Sequence, residues 1–168
     1  MEQESKWLSS EDSITENGYM IFLINGEYYA FPIDGVQEII SVPKIVPVPE
    51  FPDYAKGIVN VRGTIIPIID TRLRFHMAEL EYGSRTCIIT IKCRDMIVGF
   101  IVDTVESVIN ISSGAIRPVP KISERTAEYL WGVAKLNDKI IMLLDPEKML
   151  TEEMLKEVRD SIPENNNT

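Results

Sequence analysis

The apolar residues of this chain fall into short runs separated by turn-forming residues, a pattern that predicts β-strands rather than long helices. The first five runs are YMIFLI (19–24), EYYAFPI (27–33), VQEIIS (36–41), KGIVNV (56–61) and TIIPIID (64–70). Asn25-Gly26 separates the first two runs, and Asn-Gly in this position is typical of a tight β-hairpin turn. Arg62-Gly63 separates the last two runs, whereas the Pro-rich segment 43–52 cannot lie in the middle of a sheet.

The second part of the chain follows the same plan. Its runs are RTCIITIK (85–92), MIVGFIVD (96–103), VESVINI (105–111), YLWGVAKL (129–136) and KIIMLLD (139–145). Turns are expected near Arg94-Asp95 and at Asn137-Asp138. Five short strands with tight turns, twice over, predict two small β-barrels, because closing a sheet on itself leaves no open edge.

The two parts are also similar in sequence. Three blocks recur in the same order: IDGVQEII (33–40) as VDTVESVI (102–109), IVPVP (45–49) as IRPVP (116–120), and GIVNVRGTIIPIID (57–70) as GVAKLNDKIIMLLD (132–145). We therefore predict two similar subdomains, at about 19–77 and 85–145, within one domain at 19–160. Because a body of about 60 residues is marginally stable alone, the two should pack on each other.

Two helices are predicted outside the strands. The segment TRLRFHM (71–77) follows Asp70, a suitable N-cap, and links the two halves. A second helix at about 146–160 is expected to start at Asp145-Pro146, which combines an acidic cap with Pro at the first helical position. The apolar stripe that would dock it on the body is Leu150, Met154 and Val158.

The net charge of −9 lies mostly at the ends of the chain. Residues 1–18 carry five acids against one Lys and are expected to be a flexible tail. Residues 146–168 carry six acids against three bases, and their last part, 161–168, is predicted to be disordered. The middle of the chain is nearly neutral. Without a positive field, binding to nucleic acid or to an anionic membrane surface is not expected.

The sequence predicts a reduced, cytoplasmic protein without direct membrane insertion. No apolar stretch reaches the roughly 18–20 residues needed to span a bilayer, and the acidic N-terminus lacks the apolar run of a signal peptide. The two cysteines, Cys87 and Cys93, fall on one predicted strand and would lie about 20 Å apart. A disulfide between them is excluded if that strand is regular.

Residues that could carry catalysis or bind a metal are sparse. His76 is the only histidine, and there is no G-x-S-x-G turn, no Gly-rich phosphate loop and no H-E-x-x-H pair. One His and two separated cysteines are too few for a structural zinc site. Asp34 and Asp103 occupy matching repeat positions, as do Asp70 and Asp145, which favours turn and cap roles over an acid pair in a cleft. The sequence therefore predicts a protein that is not an enzyme and has no cofactor.

Differences between the halves indicate a candidate binding surface. Arg62 lies at a hairpin tip, where loops tend to carry function, and its counterpart is Asn137. Glu38, on the third strand, has Ser107 as its counterpart. We predict that Arg62 and Glu38 pair, which would hold Arg62 toward a partner surface. The alternative is two unrelated surface charges, worth at most about 1 kcal/mol if paired in water.

The segment GIVNVRGTIIPIIDTRLRF (57–75) resembles the signature of CheW domains, G-I/V-x-N-L/V-R-G-x-I/V-I/V-P-I/V-I/V-D-L/T-R-x-R/K-F/L. The family's other blocks are matched in order by VQEII (36–40), GFIVDTVESV (99–108), IRPVP (116–120) and YLWGVAKLNDKIIMLLD (129–145). The resemblance covers about 19–150. Thr71 departs from the signature, where Leu is commoner, and no functional consequence is expected.

The resemblance implies a mainly β fold of two packed, five-stranded, SH3-like barrels. It implies a non-catalytic adaptor that couples methyl-accepting chemotaxis receptors, at their cytoplasmic tips, to the regulatory domain of the histidine kinase CheA. It places Glu38 and Arg62 on partner-binding surfaces, whereas Gly57 would allow strands to approach closely and Gly63 would form a turn. By motif position, the candidates to line a receptor-binding groove between the barrels are Val36, Ile88, Gly99, Val105 and Val108. For each aliphatic candidate, plain core packing is the alternative.

Two other functions stay open at this point. A coupling module for a related kinase pathway would use the same fold. A small β-barrel enzyme or ligand-binding protein would belong to another class, and titration with a kinase and a receptor fragment would separate it from an adaptor.

Overall fold

The computed structural model describes residues 17–120 and 128–161. The strands in this part of the chain are β1 (Gly18–Ile24), β2 (Glu27–Pro32), β3 (Val36–Ser41), β4 (Ala55–Val61), β5 (Thr64–Asp70), β6 (Cys87–Cys93), β7 (Met96–Val102), β8 (Thr104–Asn110), β9 (Ile116–Arg117), β10 (Leu130–Leu136) and β11 (Lys139–Leu144). The α-helices are α1 (Thr71–Arg74) and α2 (Glu152–Ser161). All ten predicted strands are present. Of the predicted tails, 1–16 and 162–168 lie outside the described residues.

The strands form two sheets. A six-stranded sheet has the order β8-β1-β2-β11-β10-β9 and a five-stranded sheet has the order β3-β6-β7-β5-β4, and we call these barrel A and barrel B. Most neighbours are antiparallel, but β2 lies parallel to β11 and β5 lies parallel to β7. The predicted mainly β fold with two packed barrels is confirmed.

The barrels do not coincide with the two halves of the sequence, and the predicted subdomains at 19–77 and 85–145 are wrong in this respect. The hairpin β1–β2 begins the first half but pairs with β8 and β11 of the second. The hairpin β6–β7 begins the second half but pairs with β3 and β5 of the first. A sequence repeat shows which strands are equivalent. Because the two equivalent hairpins offer the same kind of strand edge for pairing, the repeat does not decide which hairpin completes which barrel.

This exchange of hairpins places a large apolar cluster between the barrels, which we call the interbarrel cluster. Its buried members on the two exchanged hairpins are Met20, Phe22, Ile24, Tyr29, Phe31, Ile89, Ile91, Cys93, Val98, Phe100 and Val102. Phe31 of β2 meets Phe100 of β7 with ring centroids 5.2 Å apart, so aromatic packing joins the two barrels directly. Both exchanged hairpins are therefore buried on two faces, one toward a barrel interior and one toward the interbarrel cluster.

Hydrogen bonds confirm that the repeat is structural. The backbone N–H of Asp70 donates to the carbonyl of Tyr54, and that of Asp145 donates to the carbonyl of Tyr129, at 2.7 Å in both cases. Each Asp also accepts a hydrogen bond from the backbone at the start of the next segment, as expected of caps. The shared positions Asp70 and Asp145 therefore serve the architecture.

Gly57 allows a close approach of backbones, as predicted. Its φ is +143, and a Cβ built on it would lie 2.1 Å from the carbonyl oxygen of Val46. That approach is fixed by two hydrogen bonds of 2.9 Å between the backbones of Val46 and Ile58. Only glycine fits here without moving a backbone.

The helices are shorter than predicted. Helix α1 ends at Arg74 rather than residue 77, because the chain turns at His76, which has a φ of 64. After Asp145-Pro146 the chain makes only a 3-10 turn at Glu147–Met149.

The C-terminal helix starts later than the sequence indicated. Thr151 caps it, since its hydroxyl accepts from the N–H of Met154 at 3.1 Å. Leu150 and Met154 of the predicted stripe are buried, together with Leu155, whereas the side chain of Val158 lies outside the description. The helix therefore docks on the interbarrel cluster, as expected.

Candidate partner-binding site

Arg62 is presented by a tight turn between β4 and β5. Arg62 and Gly63 both have positive φ, 50 and 86, and the N–H of Gly63 donates to the side chain of Asn60 at 2.9 Å. Glycine adopts this conformation without strain, and Asn60 holds the turn closed. The turn leaves 73% of the Arg62 side chain exposed, so the guanidinium is available to a partner.

Glu38 lies on β3, an edge strand of barrel B, and its backbone is held in place. Its N–H donates to the Thr90 hydroxyl at 3.1 Å, and that hydroxyl donates back to the carbonyl of Glu38 at 3.2 Å. The carboxylate accepts a hydrogen bond from Arg62 and forms an ion pair with it. The predicted pairing of these two residues is therefore observed.

The second half has the same turn without the ion pair. Asn137 and Asp138 take the places of Arg62 and Gly63, with positive φ of 49 and 66. Ser107 takes the place of Glu38 and cannot form an ion pair. Because the fold tolerates this corner without that ion pair, the Arg62–Glu38 pair is not required by the architecture. As an exposed pair it contributes little to stability, about 1 kcal/mol or less, and its main effect is to orient the guanidinium.

Three of the predicted groove residues share one environment. Val36 on β3, Val105 on β8 and Val108 on β8 are half-buried, and all three pack against the interbarrel cluster. Strands β3 and β8 are matching strands of the repeat, and each is the edge of its sheet. We call these three valines the groove residues, because each is partly exposed and each lies at the junction between the barrels.

The prediction for Ile88 and Gly99 is wrong. Ile88 is fully buried inside barrel B, in a cluster with Val59, Ile66, Ile68 and Ile101. A Cβ on Gly99 would lie 2.7 Å from both Ile68 and Ile88, so Gly99 makes room for the core. Both lie on the exchanged hairpin β6–β7, where either face of the strand is covered. The position of a residue in the motif identifies the strand on which it lies. It does not show whether the residue faces the interior of a barrel or a groove between the barrels.

Sequence reasoning missed Ile39, which lies beside Glu38 and is 44% exposed. Residues 36 to 41 of β3 alternate between half-buried and exposed positions, so Ile39 faces solvent with an apolar side chain. The signal was present, since strict alternation from Val36 puts residue 39 on the outer face.

Sequence reasoning also missed an ion pair between Arg72 and Asp103. The Asp103 carboxylate accepts from Arg72 Nε at 2.9 Å and Nη2 at 2.7 Å, and from the backbone N–H of Asn25 at 2.8 Å. The hydrogen bonds from Arg72 to Asp103, together with the negative charge of that carboxylate, raise the pKa of the Arg72 guanidinium above its usual value. The two residues are distant in sequence and carry no motif that links them, so only the fold brings them together.

No helix within 17–120 or 128–161 is long and apolar enough to cross a membrane. Within the same residues, no three His, Cys, Asp or Glu side chains are grouped so that they could hold a metal ion. Cys87 and Cys93 are free thiols at opposite ends of β6. Desolvation raises the pKa of the buried Cys93 thiol to about 12, so it stays protonated at neutral pH.

Comparison with known proteins defines the class of this fold and site. The CheW-like domain family matches residues 18–154, and the chain belongs to that family. It is 35% identical over 136 residues to the chemotaxis protein CheW of Klebsiella aerogenes, covering 80% of this chain and 82% of that protein. It is 31% identical over 140 residues to the chemotaxis protein CheW of Helicobacter pylori, covering 83% and 85%.

A solved structure is similar throughout the folded body. The crystal structure of the scaffolding protein TtCheW from Thermoanaerobacter tengcongensis matches with a TM-score of 0.76 and 31% identity, covering 82% of this chain and 94% of that one. The predicted family is confirmed, and with it the identification as a scaffolding protein rather than an enzyme.

Proposed function

We propose that this protein is a non-catalytic adaptor that couples methyl-accepting chemotaxis receptors to the histidine kinase CheA. The observation that carries this proposal is the family match, which extends over almost the whole described body. An adaptor works by binding partners at its surface, and the two barrels provide at least two binding surfaces. We also propose that it works in the cytoplasm, at the cytoplasmic tips of membrane receptors that it reaches through its partners.

The two partners bind to two different surfaces. We assign the groove residues Val36, Val105 and Val108 to the receptor, because half-buried valines at a junction offer apolar area without dismantling a core. We assign the Arg62–Glu38 surface of barrel B to the kinase, because an exposed, oriented guanidinium recognises carboxylates with defined geometry. If each contact is weak alone, firm assembly follows from many contacts made at once.

Replacing Arg62 by Ala is expected to weaken kinase binding by about tenfold or more, since a hydrogen bond from a charged group is worth roughly 1.5–3 kcal/mol in an interface. The thermal midpoint should hardly change, because the side chain is mostly exposed. Calorimetric titration with the kinase regulatory domain measures the first quantity, and thermal unfolding measures the second.

The matched control is Asn137→Ala, at the equivalent turn of the second half, which should leave kinase binding unchanged. If Arg62→Ala lowers stability as much as it lowers binding, the residue is structural. If Arg62→Ala binds the kinase as the wild type does, the assignment of this surface is refuted.

A further inference from the structure

Asp103 marks the point at which the chain crosses from barrel B to barrel A. It follows β7 of barrel B and precedes β8 of barrel A. Its carboxylate is held from both sides, by the Arg72 guanidinium after β5 of barrel B and by the N–H of Asn25 at the β1–β2 turn of barrel A. The Arg72 side chain is only 15% exposed, so water competes little with these bonds. We call this arrangement the crossover clamp.

The strand that begins at the crossover is held by a neighbouring strand on one side. Strand β8 is the edge of its sheet, and among the described strands it pairs with β1 alone. Its register with β1 also shifts where Ser107 and Val105 face Ile21 and Phe22, so the ladder is interrupted in the middle. The first residues of β8 pair with β1 beyond that shift, with Thr104 opposite Leu23, and the N–H of Asp103 donates to the carbonyl of Leu23 at 3.2 Å. The bonds to the Asp103 carboxylate add to these at the start of the strand.

The repeat provides an internal comparison. The crossover of the first half has Asp34 in the place of Asp103. Asp34 is exposed, and no hydrogen bond or ion pair joins its carboxylate to another residue of the described chain. Glu147 occupies the repeat position equivalent to Arg72. Because it is an acid, it cannot pair with Asp34, and it forms an ion pair with Arg94. Only the crossover that leads into β8 is clamped, so the fold itself does not require a clamp.

We propose that Arg72 and Asp103 are positioning residues for the receptor-binding groove. The clamp fixes the start of β8, and β8 carries two of the three groove residues, Val105 and Val108. The clamp does not touch the receptor. It lowers the cost of binding because the valines are held in their bound positions before the receptor arrives. This inference rests on the proposed function, which assigns the groove to the receptor.

The test compares Arg72→Gln with the wild type in two binding titrations and one exchange measurement. Receptor-fragment affinity should fall by about tenfold, since a bidentate ion pair of low exposure is lost. Kinase affinity should change less than about twofold, because Glu38 on β3 and Arg62 at the β4–β5 turn belong to the sheet of barrel B, in which β8 takes no part. Amide hydrogen exchange at residues 104–108 should become faster, whereas exchange in β4 and β5 should not.

Two further variants keep the test decisive. Asp103→Asn preserves the shape of the side chain and should reproduce the effect if Arg72→Gln does not fold. Arg94→Gln breaks the ion pairs at the matching corner and should leave receptor affinity unchanged. The inference is overturned if clamp variants bind the receptor fragment as the wild type does, or if they lose both partners equally.

If the proposed function is wrong, the titrations give a different result, because the wild-type protein itself then binds neither partner. The exchange measurement needs no partner and decides in that case whether the clamp holds β8. Unchanged exchange at residues 104–108 in the clamp variants would refute it.

Discussion

Replacing Gly57 by Ala is expected to lower the free energy of unfolding by about 3 kcal/mol or more, combining strain at positive φ with overpacking. The added methyl group would meet the carbonyl oxygen of Val46 at 2.1 Å and Pro47 Cα at 2.9 Å. These atoms belong to backbone that is hydrogen-bonded to Ile58, so they cannot move without breaking that bridge. Chemical denaturation of the purified variant measures the loss.

The repeat supplies the matched control. Gly132 occupies the equivalent position, but a Cβ there would meet the end of a side chain, Ile116 Cγ2, at 2.9 Å, and its backbone is not in the left-handed region. Gly132→Ala should therefore cost clearly less than Gly57→Ala. Equal losses at the two positions would contradict this account of Gly57.

Replacing Val108 by Lys is expected to weaken receptor binding by about 100-fold or more, because docking would bury an unpaired charge at a cost of several kcal/mol. The free protein should tolerate the change, since Val108 is half-buried and a lysine stem can lie along the surface with its ammonium in water. Titration with a receptor fragment measures the affinity, and circular dichroism checks the fold.

Two other substitutions separate binding from packing. Val36→Lys tests the groove from barrel B and should have a similar effect on receptor affinity. Ile88→Val, inside barrel B, should lower stability by about 1 kcal/mol while receptor affinity stays unchanged. Wild-type receptor affinity in both lysine variants would show that the groove lies elsewhere.

Local chemistry accounts for what could be predicted from the sequence. Turn dipeptides and apolar alternation define ten of the eleven strands to within two residues, because both signals depend on nearest neighbours. The repeat predicted the capping role of Asp70, and the family resemblance predicted the close approach at Gly57. Both residues serve contacts within one copy. The Arg62–Glu38 pair could be predicted because the second half lacks both charges.

The predictions that were wrong concern contacts between the two copies of the repeat. Which hairpin completes which barrel depends on tertiary pairing, and the sequence of one hairpin suits either barrel. Because β6–β7 is exchanged, both of its faces are covered, and Ile88 lies in a core rather than in a groove. The pair of Arg72 and Asp103 was missed for the same reason, since it exists only where the chain crosses from one barrel to the other.

We propose that one molecule of this protein holds two partners at once through separate surfaces. Sedimentation of this protein with the CheA regulatory domain and a receptor-tip fragment, first singly and then together, tests it most directly. We predict a complex with each partner and a larger complex that contains all three. Binding to neither partner, or displacement of one partner by the other, would contradict the claim.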